Sequence, residues 1–168
     1  MNKKYYPSLI SGFGAAVILT IPGTKNLACC LLIPVASALS IFLYRKSIKS
    51  VDRLDTGTGL LLGFLTGLFA ALFSTGFDIF ITYLTRSNEL IQNFPEAEAM
   101  IKKMNLGKSA DEAIKLIKGL TKDIQQNGFS LLFAIMILVS NLISYLTFGL
   151  VGGGVATAII NSRVKNSK

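Results

Sequence analysis

Residues 55–86, DTGTGLLLGFLTGLFAALFSTGFDIFITYLTR, constrain the chain more than any other stretch. About 25 to 28 consecutive apolar or small residues are enough to cross a hydrocarbon core of roughly 30 Å as one tilted helix. Gly59, Gly63, Gly67, Ala71 and Thr75 recur at every fourth position. Small residues at that step let helix backbones approach closely, and in lipid this replaces the missing hydrophobic drive between helices. One carboxylate, Asp78, interrupts the run.

The rest of the composition agrees with a membrane solvent. Of 168 residues, 51% are hydrophobic and 15% charged, with mean hydropathy +0.56. A soluble domain of this size could not cover so much apolar surface. Histidine is absent, which removes the commonest general base and metal ligand. Cys29 and Cys30 are adjacent and form no C-x-x-C pair, so they read as small buried thiols, with no metal site expected. The net charge of +8 flanks the apolar runs instead of forming one dense patch, which argues against nucleic acid as a partner.

Taken in order, the chain predicts a four-transmembrane-helix bundle in a single membrane domain, residues 1–168. Residues 8–22 follow a basic lead and form a short first span, ended by the Pro22-Gly23 turn. No small-x-small cleavage pattern follows it, so it reads as a span and not as a signal peptide. Residues 27–44 form the second span, with a kink expected at Pro34. The third covers 57–85, with Asp55 or Thr56 as its cap. The fourth covers 129–160, longer than the bilayer core and broken in texture by Gly152-Gly153-Gly154.

Between the third and fourth spans, residues 88–127 are too polar to cross a membrane. Leu90, Ile91, Phe94, Ala97, Ile101 and Met104 fall at helical spacing, with Pro95 expected to divide the segment or start a second helix. Ser109-Ala110-Asp111-Glu112 has the form of a capping box. Ala110, Ala113, Ile114, Ile117, Leu120, Thr121 and Ile124 then make an apolar stripe opposite Lys115, Lys118 and Lys122, and Asn127-Gly128 ends it. The expectation is an external amphipathic helical pair, either a cap on the outer leaflet or a docking surface.

Nine Lys and Arg residues lie on the side shared by both termini and the 45–53 loop, against Lys25 alone in the short opposite turn. The positive-inside rule therefore places both termini in the cytoplasm.

Two groups of residues could carry function. Asp78 projects toward the packed face of its helix, about 9 Å inside the outer end. Intramembrane carboxylates are costly and often functional. With Lys25 and Asn141 it forms a candidate ion or proton site, or else a structural anchor satisfied by Lys25 and by helix N-termini. The second group is a helix-packing seam: Gly59, Gly63, Gly67, Ala71 and Thr75 on the third span, answered by Asn141, Tyr145, Gly149 and Gly153 on the fourth. Gly12, Ala16 and Thr20 repeat the step on the first. Such a seam serves packing within one chain or a homo-oligomer. No H-E-x-x-H, G-x-S-x-G or P-loop pattern occurs, so no catalytic residue and no cofactor is assigned.

The order of elements, with the texture of residues 57–76 and 149–168, resembles a family of small four-span bacterial membrane proteins, domain of unknown function 4199 (DUF4199). The resemblance implies a bacterial inner-membrane location and no specific activity. The function expected is a small non-enzymatic scaffold or accessory subunit that meets the lipid bilayer and an unidentified membrane partner or a second copy. The alternative is a proton- or cation-linked transporter or channel using Asp78, and a membrane enzyme stands third.

Overall fold

The computed structural model describes residues 5–21, 25–49, 53–103 and 107–166, with backbone alone at 25–29, 89, 109 and 165–166. Among them are six α-helices and no strand: α1 (Tyr5–Leu19), α2 (Lys25–Ile48), α3 (Thr56–Thr85), α4 (Glu89–Lys103), α5 (Lys108–Asn127) and α6 (Leu131–Asn166). Three are long and apolar enough to cross a membrane, over Cys30–Ile48, Thr56–Thr85 and Leu131–Val164. The expected first span is shorter. Helix α1 takes in Pro7 in its first turn, where a missing N–H costs nothing, and it ends at Leu19. Its 15 residues reach only about 22 Å.

The chain forms two compact units, one of Met1–Gly76 with Leu138–Lys168 and one of Phe77–Ile137. In the first, α1 packs on α2, and Ala15, Leu19, Ile33, Ala36, Ala70, Ala71 and Tyr145 build one apolar cluster. A second cluster joins Ile41, Leu54, Leu62 and Ala156, with Tyr44 and Ile160 against it. Buried hydroxyls lace the helices together. Ser8 lies 3.0 Å from the Ser40 hydroxyl and donates to Leu62 O at 3.2 Å. Such bonds are small individually but fix helix register in an apolar setting.

Asp55 caps α3: its Oδ2 accepts from Thr58 N–H at 2.9 Å, satisfying one of the exposed donors of the first turn. Pro34 sits inside α2 without ending it. Cys30 is exposed, contrary to the buried thiol expected, because this part of α2 turns Cys30 and Leu31 outward while Ile33 faces the core. Cys29 lies outside the described side chains.

In the second unit α4 and α5 pack as a pair. Pro95 is accommodated inside α4 and does not divide it. The start of α4 is held by Asn88, whose Oδ1 accepts from Ile91 N–H at 2.9 Å. Helix α5 begins at Lys108 with Gly107 as its cap at φ 61°, not at the expected Ser109 box. Ser109 is already the second residue of the helix, so the box lies two residues too far along to cap it. Gly128 ends α5 in the left-handed conformation, its N–H donating to Ile124 O at 2.8 Å. A side chain there would also meet Tyr83 O at 3.0 Å.

Candidate functional site

In the first unit α3 and α6 approach each other closely through their glycines. A methyl placed on Gly63 would strike Gly149 O and lie 3.0 Å from Gly153 Cα. One placed on Gly67 would strike Tyr145 O, and one on Gly59 would strike the Thr157 side chain. From the other side, Gly149 and Gly153 meet Gly63 O and Gly59 O, each at 2.5 Å from such a methyl. The pairs 59/153, 63/149 and 67/145 advance in opposite directions by four residues, so the two helices run antiparallel through one groove. A methyl on Gly152 would likewise strike Pro34 of α2, and one on Gly12 would lie 2.8 Å from Thr66 O.

Beyond the glycines the seam becomes polar. Tyr145 is buried, with its hydroxyl 3.4 Å from Ser74 Oγ. Asn141 Nδ2 donates to Thr75 Oγ1 at 3.0 Å, and both residues are buried. The seam residues Gly59, Gly63, Gly67, Asn141, Tyr145, Gly149 and Gly153, with Thr75, therefore meet across α3 and α6 within one chain, and Ala71 is buried in the cluster that holds Tyr145.

Asp78, Lys25 and Asn141 do not all lie in one compact unit. Asn141 belongs to the first unit and is engaged by Thr75. Asp78 belongs to the second unit, half-buried, with its Oδ2 shielded from solvent. On α3 it continues the line of Ser74 and Thr75 toward Thr82, all three of which are buried. The Lys25 side chain lies outside the described residues. Among the described residues no group of three or more His, Cys, Asp or Glu side chains is close enough to hold a metal ion.

Two polar features were not singled out from the residues alone. Leu54 N–H donates to Asn161 Oδ1 and Asn161 Nδ2 donates to Leu54 O, both at 2.9 Å. One amide thus holds both polar groups of one residue, pinning the segment before α3 to the end of α6. In sequence Asn161 is one of several polar residues past an apolar run, and nothing local points to Leu54. The second feature is Glu98, half-buried between α4 and α5, which pairs with Lys102 at 2.8 Å and Lys118 at 2.9 Å. Hydrogen bonds from Lys102 and Lys118 hold its carboxyl below the ordinary value of 4.5.

An open groove of about 500 Å³ is lined by Glu112, Lys115, Leu116, Gly119, Leu120 and Asp123 of α5 and Leu132 of α6. Its walls mix one lysine with two acids and apolar side chains, without the enclosed, convergent polar groups of a catalytic pocket.

No protein-family model, curated protein or solved structure matches the chain.

Proposed function

We propose that the protein is an integral membrane protein of the bacterial inner membrane, a four-span bundle with both termini in the cytoplasm, acting as a non-enzymatic scaffold or accessory subunit. The observation that carries this is the outward face of α6. Val139, Ile143, Leu150, Val151, Val155 and Ile159 are exposed, an apolar surface that winds along the part of α6 belonging to the first unit. In water such a surface would be an aggregation site, whereas in a bilayer it is solvated by acyl chains or by a partner helix. Helix α1 completes the four spans in this reading by lying across part of the bilayer, where a short apolar helix is accommodated by local thinning. The glycine seam supports a rigid framework rather than a moving one, because its backbones are already in contact.

The test is purification of the tagged protein in mild detergent from carbonate-washed membranes. The reading expects it to remain in the washed membranes and to bring down at least one other membrane protein in fixed proportion. Release by carbonate would end the membrane reading, and recovery of this chain alone would end the accessory-subunit reading.

A second reading, transport of a proton or cation through Asp78, is favoured by the shielded Oδ2 within a helix able to span. Proteoliposomes carrying Asp78→Asn decide it. A proton or cation flux that survives the substitution unchanged leaves Asp78 no transport role.

A further inference from the structure

The positively charged end of the first unit is more than a topology signal. Arg45 follows the core residue Ile41 by one helical turn on α2, and Arg163 follows Ile160 by nearly one turn on α6. Arg53 immediately precedes Leu54. Ile41 and Leu54 belong to one apolar cluster, with Ile160 packed against it, so the three arginines border the same patch of core. The Asn161 amide, holding Leu54 by both its N–H and its C=O, fixes Arg53 and Arg163 to the same end of the unit. Lys46 in the last turn of α2 and Lys49 just beyond its end, both exposed, extend the charge.

Part of this charge has an internal explanation. Cations at the C-terminal turns of α2 and α6 complement the negative end of each helix dipole. Arg53 has no such explanation. It stands exposed just before the N-terminus of α3, beside the positive end of a dipole, and Asp55 there is already occupied in capping Thr58. Like charges gathered on one surface raise each other's energy unless an anion joins them.

The surroundings suggest what the anion is attached to. Exposed Val35, Leu39 and Phe42 on α2 and exposed Val151, Val155 and Ile159 on α6 lead directly to this basic end. A ligand with a negative head and long apolar tails meets both surfaces at once. Free phosphate meets only the first.

We propose that Arg53 and Arg163, with Lys46 and Lys49 beside them, form a binding site for the headgroup of an anionic phospholipid, its acyl chains lying on the exposed apolar faces of α2 and α6. The proposal rests on the membrane reading above. It adds a selective lipid site where that reading requires only a bilayer.

The experiment measures lipid retained by the purified full chain, by native mass spectrometry, after exchange into phosphatidylglycerol or phosphatidylcholine of matched acyl chains. The wild-type protein is expected to retain phosphatidylglycerol preferentially. With about fivefold for each basic side chain near a headgroup, Arg53→Gln with Arg163→Gln should lower that retention about thirtyfold. Lys103→Gln with Lys108→Gln removes the same charge from exposed positions of the second unit and should leave it unchanged. Equal retention of the two lipids by the wild type overturns the site, and so does an equal loss in both double variants. Where the arginine pair lowers helical content by circular dichroism, the wild-type lipid comparison and the single Arg163→Gln variant decide in the same way. A protein that stays soluble without detergent and takes up neither lipid fails at the membrane reading instead. One that takes up both lipids equally fails only at this site.

Discussion

Asn161 and Leu54 lie 107 positions apart in the chain and are joined by two hydrogen bonds of 2.9 Å, one in each direction. An amide side chain carries a donor and an acceptor side by side, so it can both give and accept at one peptide residue. Asn161→Leu removes both bonds and leaves the Leu54 N–H and C=O to find water in a half-buried place. At about 0.5–1.5 kcal/mol net for each bond, the loss should be about 1–3 kcal/mol. Asn161→Asp keeps the acceptor for Leu54 N–H but sets a second oxygen against Leu54 O, so it should not restore stability. Thermal unfolding in detergent, followed by circular dichroism, measures both.

Gly63 and Gly76 sit on the same helix and should respond oppositely to one added methyl. At Gly63 the methyl strikes Gly149 O and Gly153 Cα, both backbone atoms of α6 that move only if the helix moves. Gly63→Ala should therefore destabilise by about 1–3 kcal/mol, the usual cost of overpacking. At Gly76 nothing lies within 4 Å of the methyl, and alanine there should stabilise α3 by about 0.5–1 kcal/mol through backbone entropy. If both variants melt at the wild-type temperature, α3 and α6 are not in contact through this groove.

Helical periodicity made the long elements readable, because an apolar run of this length has few other ways to satisfy its backbone. The α5 stripe was readable for a related reason: Ala110, Ile114, Leu120 and Ile124 are buried while Lys115, Lys118 and Lys122 are exposed. Helix ends were harder to place. Gly107 outcompetes Ser109 as the start of α5 because its φ of 61° suits a residue without a side chain. Pro95 breaks a helix only where the lost hydrogen bond cannot be tolerated, and the exposed side of α4 tolerates it. The outward turn of Cys30 was invisible because an apolar run does not say which of its sides meets protein. Asn161 and Glu98 escaped notice for the opposite reason. Leu54 and Lys118 are brought near only by folding, whereas the Glu98–Lys102 step of four lies open in the sequence.

Glu98 gives the α4–α5 pair a pH dependence of definite sign. Its carboxyl is held below 4.5 by Lys102 and Lys118, so the folded form favours the ionised state more than the unfolded chain does. The stability this adds is complete above the unfolded value and is lost as pH falls through the lower folded one. Glu98→Gln should therefore lower the melting temperature at neutral pH, with the gap from wild type closing below pH 4.5. A gap that persists unchanged into stronger acid would show that packing of the side chain, and not its charge, holds the pair together.

Asn141 and Thr75 offer the sharpest test of the polar end of the seam. The bond of 3.0 Å is buried on both sides, so neither partner has water to fall back on. Each single change, Asn141→Ala or Thr75→Val, removes the bond and also alters packing, so neither alone measures it. The double-mutant cycle isolates the pair. Side-chain hydrogen bonds between membrane helices average about 0.6 kcal/mol by this method, because the separated helices find other partners. A coupling of about that size is expected here from unfolding in detergent, and a value near zero would remove the bond from the set holding α3 to α6. The neighbouring Ser74–Tyr145 contact, longer at 3.4 Å, should couple more weakly. The ranking of the two cycles thus tests the register of the antiparallel pair independently of the glycines.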